Sequence, residues 1–76
     1  MAFAVPGPGP ADVELRILSI DGRVVCRIAD GEYPPGEHMT FWDGYERTGE
    51  IAASGVYVCE LRVGESVVRR KMTLLR

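Results

Sequence analysis

The chain has 76 residues, which is enough for one small domain, and we place that domain at residues 1–76. Its formal net charge of −2 lacks the basic excess that nucleic-acid and anionic-membrane binders carry. No apolar run approaches the roughly 20 residues that a membrane-spanning helix needs, and no signal peptide is visible. We therefore expect that the protein neither binds nucleic acid nor inserts into a membrane.

The chain opens with a short strand pattern and a break. Ala2–Val5 predicts a short edge strand. Proline and glycine then alternate at residues 6–10, which predicts an exposed connection because this alternation supports neither a sheet ladder nor a helix.

The next segment predicts a β-hairpin. Val13, Leu15 and Ile17 alternate with charged residues, which is typical of a half-buried strand. Asp21-Gly22 favours a type I′ turn, because these residues tolerate the positive φ angles that this turn requires. Residues 23–28 are then the returning strand.

The second half continues in the same way. Residues 29–36 predict a loop and residues 37–42 a strand, followed by a turn at Asp43-Gly44. Residues 56–63 and 66–75 predict two more strands. About seven short strands without a helix indicate an all-β antiparallel sandwich. The side chains expected in its core are Val13, Leu15, Ile17, Trp42, Tyr57, Leu61, Met72 and Leu74.

Several short motifs, taken in order, resemble one known family. They are Val13-x-Leu15-x-Ile17, Asp21-Gly22-Arg23, Pro35-Gly36-x-His38, Trp42-Asp43-Gly44, Gly49, Ala53-Ser54-Gly55-Val56-Tyr57 and Arg70-Lys71-Met72. The set is similar to the immunoglobulin-like domain of the flagellar hook-capping protein FlgD, which is related to the sorting domains of type IX secretion.

The resemblance implies an immunoglobulin-like or fibronectin III-like sandwich without catalytic activity or cofactor. Such modules occur at the C-terminus of extracellular or cell-surface bacterial proteins. The implied role is secretion, anchoring or assembly through contacts with parent-chain domains, secretion machinery or neighbouring subunits.

Two cysteines raise the question of a disulfide. Cys26 and Cys59 both lie on strand positions that point to the core, and their spacing fits no zinc pattern. Buried, unreactive thiols are favoured, and a Cys26–Cys59 bond stays open because the distance between strands cannot be read from sequence.

Few residues suggest chemistry. His38 has no nucleophile or carboxylate at a recognisable spacing, so we expect no catalytic role. Asp43, Glu46 and Glu50 share one loop, but they lack the dense acidic spacing of a calcium loop, so we expect no metal. Asp43 is expected to accept backbone N–H groups within its own turn.

Exposed aromatic residues suggest a contact surface instead. Tyr33 and Tyr45 fall in predicted loops, where binding residues are common. Together with Trp42 they allow an alternative function as a carbohydrate-binding module. A further alternative is a subunit that self-assembles by strand addition, in which Ala2–Val5 pairs with a neighbouring copy.

Overall fold

A computed structural model describes all 76 residues and contains strands and loops only. In chain order the strands are β1 Ala2–Val5, β2 Ala11–Ser19, β3 Val24–Tyr33, β4 Gly36–Met39, β5 Gly55–Val63 and β6 Ser66–Leu74. The prediction of an all-β fold is confirmed, but there are six strands and not seven. No helical segment could cross a membrane.

The strands form two antiparallel sheets. The large sheet has the order β3-β2-β5-β6, and the small sheet pairs β1 with β4. We call the side of the large sheet that carries Val13, Leu15 and Ile17 the inner face, and the opposite side, which carries Glu14 and Arg16, the outer face. The small sheet packs on the inner face.

The hairpin between β2 and β3 closes at the predicted place with a different turn. The Ser19 N–H donates to the Arg23 carbonyl at 2.8 Å, and the Gly22 N–H donates to the Ser19 carbonyl at 2.9 Å. Only Gly22 has a positive φ here, at 94°, so Asp21 does not adopt the type I′ conformation. The loop is a three-residue connection that ends in a left-handed glycine, and the prediction of type I′ was wrong.

Strand β3 continues beyond its predicted end, through residues predicted as a loop. Its final residue, Tyr33, pairs with Ala11 at the start of β2. Two register shifts give β3 an extra residue at Ile28 and at Val25, and Val25 is fully buried. Each bulge leaves one residue of β3 unpaired, and the ladder with β2 continues on both sides of it.

Strand β4 ends sooner than the predicted strand at 37–42. Its register with β1 runs from Val5↔Gly36 to Ala2↔Met39, and one further bond joins the Thr40 N–H to the Met1 carbonyl at 2.8 Å. The ladder ends at this bond, one residue before Phe41. Trp42 consequently lies in a loop.

The core is small, with 11 of 76 residues buried. It lies between the small sheet and the β2–β3 half of the large sheet, where its main cluster is Phe3, Val5, Val13, Leu15 and Ala29. No residue of β6 is buried. The small sheet therefore covers only part of the inner face.

Candidate functional site

An open apolar groove lies where the small sheet stops short of β6. It has a volume of about 300 Å³. We call it the β1–β6 groove, and its lining residues are Met1, Ala2, Phe3, Leu15, Cys59, Leu61, Val68, Arg70, Lys71 and Met72.

One wall of the groove is the unpaired edge of β1. The bond between Thr40 and Met1 fixes which β1 residues face β4, because hydrogen-bonded and non-hydrogen-bonded pairs alternate along an antiparallel ladder. Met1, Phe3 and Val5 direct their backbone groups to β4. Ala2 and Ala4 therefore direct theirs to the free edge, where no strand of the protein pairs with them.

The floor of the groove is the inner face of β5 and β6. Leu61 lies opposite Val68, and Tyr57 lies opposite Met72. Leu61 and Met72 are half-buried, whereas Val68 is 47% exposed although its side chain is on the inner face. The alternating side chains of β5 and β6 thus form an apolar surface that no other part of the fold covers.

One cation borders this floor. Arg70 lies opposite Cys59 on the inner face, whereas Lys71, the next residue, lies opposite Val58 and belongs to the outer face. Neither forms an ion pair with a carboxylate of the protein, and both side chains are exposed. The groove therefore combines a bare strand edge, an apolar floor and uncompensated positive charge.

Arg69, their neighbour on the same strand, is engaged on the outer face. Its Nε donates to Glu60 Oε2 at 2.8 Å. Arg16 donates to Glu60 Oε1 through Nε at 3.1 Å and also through Nη2, and the Glu60 side chain is only 2% exposed. Hydrogen bonds from Arg16, and then from Arg69, hold the pKa of the Glu60 carboxyl below its usual value against the cost of burial.

The ion-pair network extends across the outer face to β3. Glu14 lies between Arg16, at 3.5 Å, and Arg27, at 3.2 Å. Arg16 and Arg27 lie opposite each other, so Glu14 offsets the repulsion between like charges. The charges of this face compensate one another, in contrast to those at the groove.

The two cysteines are free thiols. Ile17 on the central strand β2 pairs with Cys26 on one side and with Cys59 on the other. Two strand spacings of about 4.8 Å separate the cysteines, more than the roughly 7 Å that a disulfide can span between Cα atoms. Burial raises the pKa of both thiols. The Cys26–Cys59 disulfide, which the sequence neither predicted nor excluded, is therefore absent because the two residues lie too far apart.

Tyr33 does not project from a loop as predicted. It ends β3 half-buried, and its ring meets the edge of Phe3 at 5.6 Å and of His38 at 5.1 Å. His38 stacks on Phe3 at 5.3 Å, and its Nε2 lies 2.8 Å from the Pro34 carbonyl. These three rings form a packed cluster at the end of the small sheet.

Trp42 and Tyr45 lie in a separate group. The Trp42 Nε1–H donates to the Tyr45 carbonyl at 3.0 Å, and the half-buried Trp42 ring meets Tyr57 edge to face at 5.1 Å. Tyr45 is exposed beneath the Arg76 guanidinium. Because Tyr33 belongs to the other cluster, the structure does not bring the three predicted contact residues into one platform.

The loop after Trp42 is held by short-range bonds. Asp43 Oδ1 accepts the Tyr45 N–H at 3.0 Å, the contact expected for this turn. Gly44 is buried with φ at 81°, and the Arg76 side chain donates to its carbonyl and to that of Ala52. No group of three or more potential metal-ligating side chains occurs in the structure.

The predicted core residues divide into two sets. Val13, Leu15 and Ile17 are buried on β2. The others are only half-buried, and they are Trp42, Tyr57, Leu61, Met72 and Leu74. The difference follows from the position of the small sheet, which lies over β2 and not over β6.

Sequence reasoning missed the groove and the role of Glu60. One signal of the groove was present in the sequence, because Arg70 is a charged residue at a position of β6 whose side chain faces the core. Nothing in the local sequence shows that Glu60 lies between arginines of two neighbouring strands, because that depends on the register.

Comparison of the chain with protein-family models, with curated proteins and with solved structures gave no match.

Proposed function

We propose that this chain is a non-catalytic interaction module with a reduced immunoglobulin-like fold, which acts by contacting other proteins. The observation that carries the proposal is the β1–β6 groove, where a core-type strand face remains uncovered beside a free strand edge. Exposed apolar surface of this kind is typical of sites that bind a partner.

The order of the strands supports the immunoglobulin-like assignment. Such sandwiches place strands A, B, E and D in one sheet, and strands C, F and G in the other, which variable-type domains extend beyond C with a C′ strand. Here β1 and β4 occupy the positions of B and E, and β3-β2-β5-β6 the order C′-C-F-G. The six strands also follow one another along the chain as B, C, C′, E, F and G do.

The resemblance to the FlgD domain supports the biological setting. We propose that the module belongs to an extracellular or cell-surface bacterial protein and serves its secretion, anchoring or assembly. A module used in this way needs a surface that a partner can recognise, and the groove supplies one.

Site-specific photo-crosslinking in the producing cells tests the proposal. Val68 on the inner face and Val67 on the outer face are neighbours, 47% and 40% exposed. Benzoylphenylalanine in place of Val68 should yield a covalent adduct with another protein, and the same residue in place of Val67 should not. Equal adducts from both positions, or none from either, would contradict a partner at the groove.

The secretion role is tested with the same matched pair. Val68→Glu should reduce the amount of the protein that is exported or retained at the cell surface, and Val67→Glu should leave it unchanged. Normal export and attachment of both variants would reject this role.

A further inference from the structure

We infer that the β1–β6 groove is a vacant strand position, and this inference rests on the proposed function. An extended, acidic strand of a partner protein fills the position by pairing with the free edge of β1. In the immunoglobulin arrangement strand A lies beside strand B, and β1 occupies the B position. None of the six strands lies at that place. The vacancy and the groove coincide.

The backbone of β1 is ready for such an addition. Ala2 and Ala4 present unpaired N–H and C=O groups along the free edge, and their small side chains do not obstruct an approaching strand. Main-chain hydrogen bonds supply affinity in strand addition, and pockets for alternate side chains supply specificity.

The floor of the groove determines one face of the incoming strand. Alternate residues of an added strand would point to the inner face of the large sheet and cover Leu61, Val68 and Met72. The partner strand therefore carries apolar side chains at every second position.

The rim determines the charge of the partner. Arg70 borders the groove on the inner face without an ion-pair partner, while Arg69, one residue away, binds Glu60 on the outer face. A carboxylate that flanks the apolar positions of the added strand would pair with Arg70. A basic strand would be repelled.

A synthetic peptide tests the inference on the whole 76-residue protein. The probe is a fluorescein-labelled eight-residue peptide in which valine alternates with threonine and a glutamate is placed at each end. The matched control has lysine at both ends. Fluorescence anisotropy at low salt should show saturable binding of the glutamate peptide, at least tenfold tighter than the lysine peptide.

Two variants distinguish the contribution of the Arg70 charge to peptide binding from that of the β1 backbone. Arg70→Glu should reverse the preference, so that the lysine peptide binds more tightly. Ala2→Pro removes an N–H that points to the free edge and not to β4, so it should weaken the glutamate peptide at least tenfold with little change in melting temperature. Val67→Glu on the outer face is the control and should leave binding unchanged.

Two readouts locate the peptide. Amide exchange at Ala2 and Ala4 should slow on binding, while that of Phe3, which already faces β4, should not change. Alkylation of Cys59, which lines the groove, should slow, whereas Cys26, which lies elsewhere, should react at its former rate.

Absence of binding by both peptides, or binding that leaves amide exchange at Ala2 and Ala4 unchanged, would overturn the inference. A crosslinked partner at Val68 without this protection would retain the proposed function and reject strand addition. Sedimentation that shows dimers without peptide would assign the groove to a second copy of the chain, and this too would overturn a partner strand.

Discussion

The two halves of the inner face follow the same sequence rule and end in different environments. In the β2 half, Leu15 is 2% exposed beneath Phe3 and Val5. In the β6 half, Val68 is equally apolar and lies on the same face, yet it remains open. Because apolar and polar side chains alternate along the strands, both halves of the inner face are apolar. Burial also requires a second layer, and the two-stranded small sheet is too narrow to cover β6. The open half is where we propose that a partner binds.

The largest expected effect separates the two halves directly. Leu15→Ala should lower the free energy of unfolding by about 3 kcal/mol, because it leaves a cavity in the covered half. Val68→Ala should change it by less than about 0.5 kcal/mol, because no layer packs on that side chain. Urea denaturation of both variants measures the difference. Equal losses would show that the open half is covered in solution.

A second comparison concerns the outer face, where ion pairs replace a second layer. Glu60→Gln should lower the free energy of unfolding by about 1–2 kcal/mol at pH 7, because it removes the charge that Arg16 and Arg69 bind. Glu65→Gln, in the exposed turn before β6, is the matched control and should have little effect.

The ion pairs of Glu60 also predict that the free energy of unfolding depends on pH. The pKa of Glu60 is lower in the folded protein than in the unfolded chain, so the stability it contributes is present above the unfolded carboxyl pKa of about 4.3. That contribution is lost as the pH falls through the folded pKa. The gap between the native protein and Glu60→Gln should therefore shrink in acid. A gap that stays constant from neutral pH to pH 2–3 would show that Glu60 acts through packing alone.

The smallest of these effects concerns the loop beyond the small sheet. Gly44→Ala should cost about 1 kcal/mol, because the φ of 81° is unfavourable for any side chain and a Cβ there would lie 2.6 Å from Arg76 Nη2. Gly9→Ala is the control, since nothing lies within 4 Å of the corresponding Cβ. Thermal melting of the two variants compares them. An unchanged melting temperature for Gly44→Ala would mean that the loop rearranges without loss.

Much of the fold could be predicted from local pattern. The alternation in β2, the hairpin at Gly22 and the ladder of β5 and β6 were visible because each depends on neighbouring residues. The length of β3 was not, because the ladder with Ala11 overrides the unfavourable propensity of Gly31 and Asp30. For the candidate site, the sequence contains one signal, the core-facing position of Arg70 on β6, and none for the free edge of β1.

The sequence by itself determined where most strands lie, the two faces of each strand and the glycines at the turns, since these follow from side-chain alternation and from φ angles. Only the tertiary structure decided which apolar face is covered, which arginines surround Glu60 and why Cys26 and Cys59 stay apart. These features depend on register and on the width of the second sheet. Both are set by contacts between residues far apart in the chain, which no local pattern records.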